Sequence, residues 1–304
     1  MKCKKCGRPA VMALPRHNAA FCREHYLEYF DGQVEKAVRE NRMFARNDRI
    51  LVAVSGGKDS LALWDVLLRT GYRADGLYID LGIDGYAERS KEKAVGFARE
   101  REAAIRVVSV VEECGLGIRE LARRARRAAC SACGLYKRHL FNREAVQGGY
   151  DVVATGHNLD DEAATLLGNL LNWNTGYLAR QAPVLPAAPP NLVKKVKPLY
   201  RLTEREIAAY AVLRGIDYIV EECPMAAGAR SILYKNLLNQ LEEESPGAKA
   251  RFFFGFLEKG RPAFAGEEKD VALRACACCG QPTTAEICSH CRMLSRAGTG
   301  PPPR

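Results

Sequence analysis

The sequence has no apolar run approaching the roughly 18 residues of a membrane-spanning helix, so no membrane partner is expected. Its charged start, Met1-Lys2-Cys3-Lys4-Lys5, also lacks the apolar stretch of a secretion signal, and the expected location is cytoplasmic. Acid is in short supply. Asp and Glu number 36 against 46 Lys and Arg, a formal charge of +10, which suits a polyanionic partner, although solubility alone also accounts for it. Missing as well is any G-x-x-x-x-G-K-[ST] string, which excludes the Walker type of phosphate loop.

With 304 residues, 47% of them hydrophobic, the chain has enough to bury an α/β core and carry one or two small appendages. It holds 12 cysteines and no export signal, which points to metals or catalysis rather than disulfides. Residues 1–46 read as a small N-terminal unit, a cysteine-bearing loop followed by a helix over 24–42 with Tyr26, Leu27, Phe30, Val34 and Val38 on one face. From residue 47 the texture changes. Short β-branched runs at 50–54, 76–79, 105–110 and 152–155 alternate with helical patterns at 60–69, 87–103, 118–127, 135–146 and 160–171. This predicts a mostly parallel sheet with helices on both faces, an α/β catalytic domain over 47–262. Residues 172–190 read as a loop, Thr203 and Glu206 as a capping box, and 231–244 and 246–259 as further helices. A second cysteine ribbon over 270–297 and a disordered tail over 298–304 complete the expected plan.

The string Ser55-Gly56-Gly57-Lys58-Asp59-Ser60 leaves an apolar strand and enters a helix. Two glycines let the main chain approach a phosphate, the helix N-terminus supplies free amides, and Lys58 with the two serine hydroxyls adds charge and donors. A second string, Gly156-His157-Asn158-Leu159-Asp160-Asp161, follows another buried strand, where open α/β sheets place ligands. Asp161 is the candidate for holding magnesium, and Gly156 for close approach of the nucleotide.

Cys3-x-x-Cys6 with Cys22-x-x-His25, and Cys276-x-x-Cys279 with Cys288-x-x-Cys291, have the doublet spacing of two closed tetrahedral zinc sites. Cys278 offers an alternative register within the second. The middle cysteines, Cys130-x-x-Cys133 and the distant Cys223 after an expected strand, fit a redox pair, an incomplete zinc site or inert thiols. Cys114 is unassigned.

S-G-G-K-D-S resembles the loop of the PP-loop superfamily, whose members split ATP into AMP and pyrophosphate. The order S-G-G-K-D-S, C-x-x-C, G-H-N-x-D-D and a further cysteine is similar to the TtuA type of tRNA 2-thiouridine synthetase, over essentially the full chain. That resemblance implies an adenine nucleotide alpha hydrolase-like, Rossmann-like fold, with ATP held by Ala53, Ser55, Gly56, Gly57, Lys58, Asp59, Ser60, Ile79, Lys137, Gly156 and Asp161. It implies a [4Fe-4S] cluster on Cys130, Cys133 and Cys223 with one open iron, and catalytic roles for these cysteines, Lys137 and Asp161. The implied reaction adenylylates the C2 oxygen of a tRNA uridine, T-loop 5-methyluridine ahead of the wobble position, and replaces it with sulfur. A homodimer and a ubiquitin-like thiocarboxylated sulfur carrier are implied too. Cytidine thiolation, or a non-catalytic zinc-ribbon RNA-binding module, are the competing readings; the latter leaves Ser55–Ser60 unexplained.

A basic stretch precedes Cys130. Arg119, Arg123, Arg124 and Arg127 stand there against the single acid Glu120, with Arg119, Arg123 and Arg127 on one expected helical face. Like charges at that spacing weaken a helix slightly, so tRNA phosphates are the expected counterions, a solvated face being the plainer alternative.

Overall fold

The β-branched runs of the central segment pair into one six-stranded sheet in the computed structural model, which describes residues 1–267 and 272–300. The chain begins with a hairpin of β1 (Met12–Leu14) and β2 (Ala19–Phe21), then α1 (Arg23–Glu40). β3 (Arg49–Val54), α2 (Lys58–Arg69), β4 (Arg73–Asp80), α3 (Tyr86–Glu100) and β5 (Ile105–Ser109) follow. α4 (Val110–Cys114), α5 (Ile118–Arg124) and α6 (Ala129–Gly148) lead to β6 (Val152–Thr155), α7 (Leu159–Leu171) and α8 (Thr175–Arg180). After β7 (Val184–Leu185) and β8 (Lys194–Val196) come α9 (Glu204–Arg214), α10 (Arg230–Glu244) and α11 (Ala248–Gly255). The C-terminal ribbon is β9 (Arg274–Ala275), β10 (Pro282–Thr283) and α12 (Ser289–Ala297).

The strand order is β5-β4-β3-β6-β8-β7, parallel as far as β8, with β7 antiparallel at the edge. Successive residues of β3 face opposite cores because side chains alternate along a strand. Ile50, Val52 and Val54 join the core built with α1, α2, α3 and α9, while Leu51 joins Leu77, Ile79 and Val153 in the core built with α5, α6 and α12. Strands β3 to β5 run outward on one side, and the chain then returns to place β6 on the other side of β3. That reversal opens a crevice at the strand ends, where Ala53 is in register with Thr155.

Several boundaries differ from the sequence reading. The expected helix over 118–127 stops at Arg124, since Arg126 has a left-handed φ of 52°. The expected helix over 135–146 begins at Ala129, so the C-x-x-C pair lies inside the helix rather than ahead of it. Residues 172–190 contain α8 and β7, and no strand precedes Cys223. The segment before it instead makes a single bond to the glycine loop, Ile219 N to Gly56 O at 2.9 Å. Residues 270–271 of the expected ribbon and 301–304 of the expected tail lie outside the described residues. Among those described, no helix is long and apolar enough to cross a membrane.

Candidate active site

Ser55, Gly56 and Gly57 carry the chain from buried β3 into α2, whose N-terminus has no side-chain cap and so presents free amides. Gly56 sits at φ 76°, and a Cβ there would lie 2.3 Å from Ser90 O on α3, so only glycine fits. Ser60 locks the turn: its Oγ accepts from Ser55 N at 3.0 Å and donates to Gly57 O at 3.0 Å, with Ser55 Oγ 3.2 Å away. The result is a rigid cradle for an anion.

Across the crevice, Gly156 packs so tightly on α2 that a Cβ would lie 3.0 Å from Asp59 C and Ser60 N. Asn158 Nδ2 donates to Asp59 Oδ1 at 3.1 Å, and Asn158 caps α7 reciprocally with Asp161. Sequence reasoning missed two partners here. Lys58 Nζ meets Glu204 at 2.6 Å and Asp59 at 3.1 Å, and Lys235 Nζ meets Asp161 at 2.6 Å and Glu204 at 3.4 Å. Three carboxylates thus face two ammonium groups, an excess of one negative charge, which suits a divalent cation carried by phosphates. Burial raises the Asp59 carboxyl above its ordinary range, Lys58 pulling against it and Asp161 and Glu204 adding to it. Burial would raise Asp161 too, but Lys235 and then His157 more than offset this and hold it low.

Cys130 and Cys133 are the second and fifth residues of α6, and Cys223 precedes a short turn at Pro224–Ala226. Cys130 Sγ lies 3.0 Å from Met225 O, which ties the two segments together. Cys133, Cys223 and Lys137 line one cavity with Ala53, Ser55 and Ile79. Burial pushes the Cys133 thiol up, Lys137 being the chief opposing influence, with Cys223 and Cys130 raising it further. Two larger clefts, of about 630 and 570 Å³, are lined neither by the glycine loop nor by a cysteine, so size does not locate the chemistry here.

The donor sets fit two kinds of metal. Tetrahedral zinc with Zn–S near 2.3 Å requires sulfurs roughly 3.8 Å apart. Cys6 and Cys22 are 3.8 Å apart, Cys279 and Cys288 3.7 Å, and Cys276 and Cys291 4.0 Å. His25 Nδ1 completes the first set, 3.3 Å from Cys3 Sγ and 3.4 Å from Cys22 Sγ. Arg8 donates to the sulfurs of Cys6 and Cys22. Cys278 is not among the four ligands drawn together in the second set, and Cys114 Sγ bonds within its own turn to Val110 O and Leu116 O. Among the described residues only these two sets gather at least three ligand atoms within 4.8 Å of one another. Cys130, Cys133 and Cys223 do not gather that tightly; Cys133 and Cys223 share a cavity and Cys130 is tied to Met225 beside Cys223, a thiolate set that fits a multi-iron cluster better than a single ion.

The basic stretch is less free than its composition suggests. Arg123 and Arg124 both pair with Glu120, Arg127 bonds Ser131 Oγ at 3.0 Å, and the early end of α5 removes Arg127 from the face of Arg119 and Arg123.

A doubly wound sheet with a glycine cradle at its switch point defines a nucleotide-binding protein, and residues 27–241 match the family model of the PP-loop domain. Residues 2–27 match the N-terminal LIM domain of 2-thiouridine synthetase TtuA. The chain is 56% identical to tRNA-5-methyluridine(54) 2-sulfurtransferase of Thermus thermophilus, over 96% of this chain and 91% of the relative. It is 45% identical to the protein of that name from Thermotoga maritima, over 96% of both chains. The chain therefore belongs to the TtuA-type family of tRNA 2-thiouridine synthetases within the PP-loop superfamily. In fold it is similar to the U34-tRNA thiolase NcsA of Methanococcus maripaludis, solved with its [4Fe-4S] cluster, at a TM-score of 0.81 and 24% identity over 99% of this chain and 97% of that one.

Proposed function

We propose that this chain is an ATP-dependent tRNA 2-sulfurtransferase acting on the 5-methyluridine at position 54, the target named for its relatives. The observation that carries this reading is the single cavity lined by Ser55 of the phosphate cradle, by Cys133 and Cys223, and by Lys137. The cradle amides, Lys58 and Lys137 bind magnesium ATP and stabilise charge while the uridine C2 oxygen bonds to the α-phosphorus and pyrophosphate leaves. Asp161, with Asp59 and Glu204, would hold the magnesium once the lysines turn to the phosphates, a role that their pairing with Lys58 and Lys235 supports. The adenylylated oxygen then departs as AMP when sulfur takes its place on C2. Cys130, Cys133 and Cys223 would hold a [4Fe-4S] cluster, which when bound supplies the sulfur nucleophile. The zinc sites on Cys3, Cys6, Cys22 and His25 and on Cys276, Cys279, Cys288 and Cys291 stabilise the two ends.

Arg119 is proposed to meet tRNA together with Arg123 and Arg124, once Glu120 releases them, and Arg127, once Ser131 does. A cytoplasmic location, a homodimer and a ubiquitin-like thiocarboxylated sulfur carrier belong to the same reading. The test is anaerobic incubation of cluster-loaded protein with tRNA, ATP and sulfide. Expected are pyrophosphate release and 2-thio-5-methyluridine on nucleoside mass spectrometry, with thiolation lost in Cys223→Ser while ATP binding persists. Sulfur appearing only at a wobble uridine or a cytidine would reassign the target, and no incorporation at all would overturn the proposal.

A further inference from the structure

Between α6 and the C-terminal ribbon lies a cleft of about 320 Å³ that the steps above leave unused. Arg138 and His139 of α6, Lys195 of β8, and Gln281, Thr283 and Ser289 of the ribbon line it. Among the described residues no carboxylate lines it, whereas Glu35 and Asp48 line one larger cleft and Asp160, Glu204 and Glu242 are among those lining the other. Among the described residues, the side chains of Arg138 and Lys195 have no hydrogen-bond or ion-pair partner. Burial, reinforced by the like charge of Arg138, holds the Lys195 ammonium below the ordinary lysine range. Lys195 is half-buried and Arg138 exposed, so the cleft presents two cations with no described counterion, an arrangement that attracts an anion.

The back wall carries a second unsatisfied group. His290 is 2% exposed and stacks on His139 with ring centroids 3.7 Å apart, and neither of its ring nitrogens has a hydrogen-bond partner. The stack of His290 on His139 thus belongs to the packing that seats the ribbon on α6 and fixes its side of the cleft.

The cleft adjoins the chemistry. Arg138 folds back over Gly134, where a Cβ would lie 3.1 Å from its Nη1, and its charge is felt at Cys133. Lys137, one residue earlier, lines the reaction cavity on the neighbouring face of the same helix. Among the described residues no Phe, Tyr or Trp lines the cleft, and its two imidazoles, His139 and His290, are buried and stacked on each other, so it offers a seat for an anion rather than a platform for a base.

We propose that this cleft seats a backbone phosphate of the RNA, flanking the nucleotide that enters the reaction cavity, with Arg138 and Lys195 gripping it from the catalytic domain and Thr283 and Ser289 from the ribbon. The inference rests on the tRNA thiolation reading and gives the C-terminal ribbon a direct part in holding the substrate.

The test compares wild type with the double variant Arg138→Gln, Lys195→Gln, both as zinc-loaded full chains, in tRNA binding across a salt titration. Both cations grip one phosphate, so losing that contact should lower the slope of log K against log salt by about 1 and affinity at low salt by on the order of tenfold. Unchanged zinc content and ATP affinity establish that the variant is folded; the single Arg138→Gln, at an exposed helix position, replaces it should the double variant fail that check. Wild-type slope and affinity in the variant overturn the seat and leave thiolation standing. Failure of the wild type to bind tRNA overturns thiolation and the seat with it. Inorganic phosphate titrated alone distinguishes the sources: phosphate binding lost in the variant, with tRNA binding equal in both proteins, assigns the cleft to a free anion and overturns the RNA seat.

Discussion

Lys58 ends on Glu204, a carboxylate that reaches it from the first turn of α9, and Lys235 arrives from α10 to pair with Asp161. Binding magnesium ATP therefore exchanges protein counterions for phosphate and metal rather than filling a vacant charge site. Ser55 to Ser60 and Gly156 to Asp161 were readable because each is a contiguous string with one explanation. Glu204 and Lys235 were not: a glutamate in a first helical turn is explained by the helix dipole, and a lysine on an exposed helix by solvent. Buried histidines give the clearest titration. Burial, with Arg143 adding to it, holds His139 at about 4, and burial with His139 and Arg143 holds His290 at about 3. Both values lie below that of an ordinary histidine, so the unfolded chain binds more protons as pH falls from about 6.5, and stability drops in that direction by up to about 1.4 kcal/mol per pH unit for each group. His139→Phe retains a ring against His290 and removes one titration. Its stability measured by urea unfolding should fall less steeply than that of wild type between about pH 6.5 and 5. Any acid release of zinc is common to both proteins and drops out of the difference; parallel curves would refute the assignment.

The strand-loop-helix unit from β3 to α2 is the element on which nucleotide binding turns, and its weak point is backbone geometry. Gly56→Ala places a methyl against the carbonyl of Ser90 in a left-handed conformation, with α3 unable to withdraw because Ser90 Oγ is held 2.6 Å from Tyr78 Oη. The cost is expected at about 2 kcal/mol or more, with ATP affinity lost to a greater extent than melting temperature, as isothermal titration and calorimetry would report. Retained ATP affinity would show that the loop adapts. Elements with strong local signals were placed well from sequence: the glycine loop by its strand and helix, α9 by the reciprocal cap of Thr203 and Glu206. Others lacked such signals. α6 begins at Ala129 with Ala128 as its cap and no side-chain bond, so nothing in the sequence marked its start ahead of Cys130. The strands β7 and β8 are two and three residues long, too short for alternation to register, and they are set by pairing, β8 with β6 and β7 with β8, rather than by their own pattern.

At the scale of the whole chain the two zinc sites differ in what they hold. The first is continuous with the catalytic core: Cys3 and Cys22 share a cluster with Ile50 and Leu61, Tyr26 Oη donates to Glu206 O at 2.5 Å, Phe30 stacks on Tyr210 at 3.8 Å, and Arg16 forms a buried pair with Glu206 at 2.7 Å. Residue 46 thus divides the sequence but not the core. The second site has a small cluster of its own, Cys276, Cys288 and Cys291, and meets the catalytic domain through Met293, Leu294 and Ala297 of α12 and through the His139–His290 stack. Metal binding to such sites is folding free energy, delivered to whatever unit the ligands belong to. Removing the first metal with Cys3→Ser should lower the main melting transition by about 5 °C or more while unfolding stays a single step. Removing the second with Cys279→Ser should leave the main transition within about 2 °C and make the ribbon open separately, seen as early protease cleavage of the C-terminal end. The order of the two effects follows from which hydrophobic core each set of ligands enters, and a larger fall in the main transition for Cys279→Ser would mean that the ribbon, rather than the N-terminal hairpin, supports the catalytic core.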